Sequence, residues 1–327
     1  MKVMLTGATG FIGRRVVKAL ESEGHALTIA ERTPGSFGRD VRGATPHRVV
    51  AVGEINRATE WGIALEGVEA VVHLAAHAHV VTPSPEDEIA FVETNVRGTD
   101  RLAERAVAAG VRRFVLMSSI GAVATSSDAC ITSSTPSRPT TPYGKSKLAA
   151  EEALLTQAHG SDMTWTILRP TLVYGPGNPG NMARLISLVR TGLPLPLGAI
   201  RNRRSFTFVD NLAALVAHAL NHERAVNHVF LVADGDDVST PELVRKIAVL
   251  HGRHAKLVPV PVSLLQRSAK VADVVSAATS RSLPFGTATI DRLAASLFVD
   301  TAGVRDVLGW SPPFDLDAGL RRMLVSP

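Results

Sequence analysis

The stretch Thr6-Gly7-Ala8-Thr9-Gly10-Phe11-Ile12-Gly13 constrains this chain more than any other. It follows the apolar run Val3-Met4-Leu5 and opens a segment with helical periodicity over 11–22. Three glycines at the start of a helix are entropically unfavourable unless the backbone must come close to something. Between a strand and a helix, such a loop lets backbone N–H groups and the helix N-terminus meet a pyrophosphate. The spacing predicts a dinucleotide cradle built on Gly7, Gly10 and Gly13, with Thr9, Phe11 and Ile12 between them.

The rest of the first half repeats that rhythm. Candidate strands are 3–6, 26–30, 48–52, 70–74, 113–117 and 164–168, with helical patterns over 11–22, 88–109 and 143–157. Most of these strands are nearly continuous in apolar residues, as expected when both faces of a sheet are covered. The fold class that follows is α/β: a Rossmann-type, doubly wound parallel sheet with a smaller C-terminal substrate-binding region. Residues 1–175 form the expected nucleotide half. Residues 176–327 are mainly substrate region, with 206–235 returning to the sheet through a strand near 227–232. The Ser-, Thr- and Pro-rich stretch 121–142 reads as a mobile loop.

The second strand ends at Ala30-Glu31-Arg32. A carboxylate there can accept bonds from adenosine ribose hydroxyls and repel a 2′-phosphate, so Glu31 favours NAD. Arg32 leaves NADP open, since it could hold that phosphate. Glu54 and Ile55, after the third strand, are candidate adenine contacts.

A second constellation carries chemistry. Tyr143 and Lys147 stand one helical turn apart, and Ser119 ends the run 113–117 with its following serines. A phenol with an ordinary pKa near 10 must be tuned downward to act as a base near neutrality. The Lys147 ammonium would favour the phenolate, and Ser119 would orient the substrate oxygen. These three residues are the expected catalytic set.

Taken together, the motifs TGATGFIG (6–13), HLAA (73–76), NVRGT (95–99), LMSS (116–119), YGKSK (143–147), RPTLVYGPG (169–177), RRSFTFVD (203–210) and LGW (308–310) carry a resemblance. The chain resembles an extended short-chain dehydrogenase/reductase, of the NAD-dependent sugar-nucleotide epimerase and dehydratase kind, similar to the UDP-glucose 4-epimerases. The resemblance spans essentially the whole chain. It implies that Asn95 supports the active-site helix and its water. Leu74, Ala75, Ala76 and Ser118 would line the cofactor path, and Pro170 with Thr171 or Val173 would border the nicotinamide. Asn181 and Arg204 would face a nucleotide diphosphate. Arg292 would do the same, although it falls out of register when counted back from Leu308-Gly309-Trp310. Two departures matter. The dehydratases follow their active-site hydroxyl with an Asp-Glu pair, whereas Ser119 precedes Ile120-Gly121, which have no acid–base capacity and argue against water elimination. Galactose epimerases carry a Lys shortly after the fourth strand, where this chain has His77-Ala78-His79.

These residues imply an NAD-dependent 4-epimerase of a UDP-hexose or UDP-N-acetylhexosamine. The alternatives are an NAD(P)H-dependent reductase of a UDP-4-keto-6-deoxy-hexosamine, another alcohol dehydrogenase of the extended type, and a non-catalytic dinucleotide-binding protein. Homodimerisation is expected through the Ala- and Leu-rich helices of 88–109 and 143–157. The formal charge is +5, but the chain holds ten Phe, three Trp and two Tyr and no basic stripe, so nucleic acid is not an expected partner. His73, His77 and His79 share one face of an extended run, yet no carboxylate or cysteine stands beside them and no metal is expected. No run is long and apolar enough for a membrane span. The mix of apolar residues with Arg267 and Lys270 over 262–278 leaves room for peripheral contact with lipid, although such a stretch is more often an ordinary core-facing helix. The single cysteine, Cys130, and an N-terminus without signal-peptide character make the cytoplasm the expected location.

Overall fold

Apolar runs and helices alternate along the chain, and the strands collect into one parallel sheet. The computed structural model describes residues 1–40, 47–78, 84–178, 180–279 and 286–325. Its strands are β1 (Lys2–Thr6), β2 (Ala26–Glu31), β3 (Arg48–Ala51), β4 (Ala70–His73), β5 (Arg113–Met117), β6 (Thr164–Pro170), β7 (Leu172–Tyr174), β8 (Phe206–Phe208) and β9 (His228–Val232). Seven of them pair in the order β3-β2-β1-β4-β5-β6-β9, every pair parallel. This is the expected Rossmann-type sheet.

The two-residue period of a strand explains how both faces are filled. Val3 and Leu5 point to one face and Met4 to the other; Val115 and Met117 oppose Phe114 and Leu116 in the same way. The first face is covered by α1 (Phe11–Ser22), and the edge beyond β2 by α2 (Ser36–Asp40). The second face is covered by α3 (Gly62–Leu65) and by the long helical run beginning with α4 (Pro85–Ala90). That run reads in the sequence as one helix over 88–109. In the structure α4 passes through a π-helical stretch, Phe91–Arg97, into α5 (Gly98–Ala108). Apolar periodicity is nearly blind to one wider turn, and such turns recur at functional sites.

Helix α6 (Pro142–Ala158) starts where Thr141 accepts a bond from Gly144 N at 3.1 Å and Pro142 takes the first position. Just before it, 123–141 forms no helix or strand, but where the sequence reads as a mobile loop the structure pins it. Ser127 N donates to Ser296 O and Arg138 N to Val123 O, each at 2.8 Å, and buried Ile131 pairs with Val299.

The later segments do two jobs. β7 and β8 form a separate parallel pair. Around it lie α7 (Asn181–Arg190), then α8 (Val209–Asn221), which crosses back to pack on α1, and α9 (Thr240–Leu250). They are followed by α10 (Val262–Thr279), α11 (Thr287–Ala294), α12 (Ala302–Leu308) and α13 (Leu316–Val325). Residues 206–235 thus send α8 and β9 into the sheet layer, while β8 stays outside it. Asp234 ties the two parts. Its carboxylate accepts bonds from Phe208 N (2.7 Å), Asn211 Nδ2 (2.7 Å) and Tyr174 Oη (3.4 Å). Burial raises its pKa to about 7 against those bonds.

Candidate active site

The glycine loop joins the C-terminal end of β1 to α1, and geometry explains each glycine. Gly7 has φ +74°, and a Cβ there would sit 2.8 Å from Ala75 N. A Cβ on Gly13 would meet Gly7 O at 2.0 Å, and one on Gly10 would meet it at 3.2 Å. Gly10 caps α1 without a side-chain bond, and the first turn holds no acidic residue. Its leading N–H groups therefore suit an anion. Thr6 fixes the neighbouring strand end: Leu74 N and Ala75 N donate to its Oγ1 at 3.2 and 3.1 Å. Leu74, Ala75 and Ala76 are thereby laid along Gly7. This cradle fits the pyrophosphate of a dinucleotide. Gly13→Ala should cost about 1–3 kcal/mol of stability by overpacking backbone on backbone. It should also weaken dinucleotide binding about tenfold or more, ~1.4 kcal/mol. Thermal melting and calorimetry on nucleotide-stripped protein check both.

Glu31, at the end of β2, is buried, and its oxygens are engaged. Gly35 N donates to Oε1 at 2.6 Å; Phe37 N and Ser36 Oγ donate to Oε2 at 2.9 and 3.1 Å. Burial opposes its ionisation, but these bonds prevail and hold the carboxyl below its usual range. Glu31 therefore shapes the loop that follows β2. Arg32 and Glu54 are both exposed and form a loose ion pair at 3.7 Å. Ile55 packs under Gly98, where a Cβ would meet its Cγ2 at 2.6 Å.

The catalytic candidates meet at the C-terminal end of β5. Ser119 caps a 3₁₀ turn, Ile120–Ala122, by accepting from Gly121 N at 3.0 Å, and its hydroxyl is near enough to the Tyr143 phenol to favour ionisation there. Burial raises the phenol pKa, and the Ser119 hydroxyl only offsets it in part. The expected depression by Lys147 is not found. Lys147 is buried, its ammonium donates to Met117 O at 2.6 Å, and it contributes nothing resolved to Tyr143. Burial instead lowers Lys147 itself to about 8, with Glu151 acting against that shift. The Tyr143 ring lies edge-on to Phe91, at 5.9 Å between centroids, and Phe91 lies edge-on to His77 at 5.1 Å.

Asn95, in the π-helical stretch, holds three elements together. It accepts from His77 N at 2.7 Å and donates to His77 O and to Ser146 Oγ of α6, both at 3.0 Å. The bond to Ser146 joins the π-helical stretch to α6. His73 is consumed by structure: its ring bonds Thr6 Oγ1 and Thr99 Oγ1 at 2.7 and 3.1 Å. Burial, then the Lys147 charge, drive its pKa to about 3, so it is neutral. His77 pairs with Asp87 at 2.9 Å. His79 lies outside the described residues. Among the described residues no three His, Cys, Asp or Glu side chains converge on a metal-sized site.

Three residues carry a part the sequence reading missed. Glu151 stands one turn beyond Lys147 on α6 and is buried. Arg169 grips it from β6 through Nε to Oε1 at 3.0 Å and Nη2 to Oε2 at 2.5 Å. Ser118 does not turn its hydroxyl to a cofactor path but donates it to Glu151 Oε1. The four-residue step from Lys147 to Glu151 was the available signal; Arg169 is eighteen residues further along and gave none.

On the substrate side, Arg204 and Arg292 come together. The half-buried Arg204 guanidinium donates to the Arg292 carbonyl, and Arg204 makes no ion pair among the described residues. Burial lowers its pKa. Asn181 begins α7 and is exposed, while Asn178 holds Val173 O through Nδ2 at 2.7 Å. Pro170 is buried at the end of β6, and Val173 follows on β7.

A model of the NAD dependent epimerase/dehydratase family matches residues 3–233. The chain belongs to that family. It is 35% identical to a UDP-glucose 4-epimerase of Vibrio cholerae over 332 residues, covering 98% of this chain and 93% of that protein. An N-acetyl-alpha-D-glucosaminyl-diphospho-ditrans,octacis-undecaprenol 4-epimerase of Escherichia coli O157:H7 is 26% identical, covering 98% and 94%. Among solved structures, MoeE5 in complex with UDP-glucuronic acid and NAD superposes with a TM-score of 0.76 at 27% identity, covering 99% of this chain and 98% of that one. The family is one of NAD-dependent enzymes, and the glycine cradle agrees with it. No helix among the described residues is long and apolar enough to cross a membrane.

Proposed function

We propose that this enzyme is a 4-epimerase of a UDP-linked hexose or N-acetylhexosamine. The observation that carries the reading is the convergence of Ser119, Tyr143 and Lys147 with no acid–base pair after Ser119. The positions that would hold such a pair are buried Ile120 and Gly121. Bound NAD would supply a hydride acceptor and donor. Tyr143 takes the proton from the sugar 4-hydroxyl and later returns one, Ser119 holds that oxygen, and Lys147 keeps a positive charge at the floor of the site. The two 4-epimerase relatives share, by their names, a sugar joined to a diphosphate. Arg204 offers the fixed cation such a group needs.

Incubation with UDP-glucose or UDP-N-acetylglucosamine, without added reductant, tests the reading. Proton NMR should show the 4-epimer accumulating to equilibrium. No epimer from either sugar, together with stoichiometric consumption of added NADH on a UDP-4-keto-6-deoxy-hexosamine, would instead identify a reductase. Arg204→Ala should raise KM for the UDP-sugar with kcat little changed, the mark of lost uniform binding.

The enzyme is expected to be a homodimer. Ile89, Val92 and Leu155 are exposed on α4, the π-helical stretch and α6, and pairing about a two-fold axis would cover them. Light scattering at micromolar concentration should return twice the chain mass of 34.7 kDa.

A further inference from the structure

A second apolar surface has a different character. Residues 243–272 hold Arg245, Lys246, Arg253, Lys256, Arg267 and Lys270 and neither Asp nor Glu. The stretch 163–209 also lacks both and brings Arg190 alongside. The two segments interlock: Leu195 N donates to Lys256 O at 2.8 Å, Val258 N to Leu195 O at 2.9 Å, and Arg253 Nη1 to Arg190 O at 2.7 Å. Lys246 is bound to Asp317. Among the described residues Arg190, Arg253, Lys256, Arg267 and Lys270 pair with no carboxylate, and all are exposed.

The same segments expose Leu193, Val249, Val258, Leu264 and Val271, by 63%, 66%, 44%, 55% and 64%. α10 shows how they are presented. Leu265 and Ala269 face inward onto Ile290. Leu264, Arg267 and Val271 fall on the opposite side at helical spacing, with Lys270 beside them. The carboxylates at its margin are exposed but engaged: Asp273 accepts from Thr287 N at 3.0 Å, and Asp291 from Gln266 at 2.8 Å. Burial, and after it the Arg190 and Arg253 charges, lower the pKa of His251.

We propose that this face docks on an anionic lipid bilayer. Five unpaired cations fit lipid phosphates, and aliphatic side chains among them fit the headgroup–acyl boundary. A nucleic acid fits less well, because residues 243–272 contain no Phe, Tyr or Trp on which bases would stack. α10 lies between this face and α11, which carries Arg292 beside Arg204.

The test is co-sedimentation of the full chain with vesicles of phosphatidylcholine alone or mixed with phosphatidylglycerol, at low and high salt. Binding should require phosphatidylglycerol. It should fall about tenfold or more in Arg267→Glu/Lys270→Glu, since each cation near an anionic surface contributes about fivefold. It should also fall in Leu264→Ser/Val271→Ser. Both variants should keep the wild-type melting temperature and turnover of soluble substrate. Equal binding to phosphatidylcholine alone, or none to either vesicle, overturns the proposal. So does binding that needs the cations but not Leu264 and Val271, which would mark a site for a soluble polyanion. Vesicle binding without UDP-sugar turnover would leave the docking face standing and remove the proposed activity.

Discussion

Tyr143→Phe should lower turnover of the UDP-sugar by about a hundredfold or more, the loss expected for a positioned general base. NAD binding and thermal stability should be nearly unchanged, because the ring keeps its edge contact with Phe91 and only the hydroxyl near Ser119 is lost. Single-turnover kinetics, with NAD affinity measured alongside, separates the two effects. A variant with near wild-type rate would remove the phenol from proton transfer. In the protein alone the phenol is raised by burial. A rate that climbs with pH is therefore expected until Lys147, lowered to about 8, begins to lose its charge.

The second large effect lies behind that lysine. Arg169→Met leaves the buried Glu151 carboxylate without its bidentate partner and should cost about 3–5 kcal/mol. Glu151→Gln removes the carboxylate's support for the Lys147 ammonium, so Lys147 should lose its proton at lower pH. The alkaline limb of kcat/KM then moves down. In Arg169→Met, if it stays folded, the unneutralised carboxylate moves that limb up. Shifts in opposite directions cannot come from loosened structure alone, and pH profiles of both variants decide between tuning and simple scaffolding. Ser118→Ala, which removes one donor to Glu151, should give a smaller upward shift with little loss of stability.

What the residues disclosed unaided follows their physics. Strands covered on both faces are written as unbroken apolar runs, so β1, β4 and β5 were legible to within a residue or so. Helix α1 was legible at both ends because a glycine loop precedes it and Glu23-Gly24 follows. Ser119, Tyr143 and Lys147 could be read because each carries chemistry at a characteristic spacing. Interactions that join distant elements through buried charge left no such mark. Glu151 looks like any exposed helix glutamate until Arg169 is folded onto it. Glu31 looked like a free carboxylate because the loop that wraps it, Gly35 to Phe37, has no periodicity to disclose a turn. The depressed Lys147 was hidden for the same reason: desolvation is a property of surroundings.

The return of β9 to the edge of the sheet has a consequence for how this chain can be rebuilt. β9 pairs with β6 from Thr166↔His228 to Pro170↔Val232, and Thr171 N continues that ladder to Val232 O at 3.0 Å. Between these two partners in the chain lie β7, α7 and β8, which belong to the other half of the molecule. A chimera spliced once, after β6, would therefore inherit a nucleotide half lacking its outermost strand and α8. Exchanging substrate preference with a relative needs at least two junctions, and α8 with β9 must travel with the parent that supplies β6.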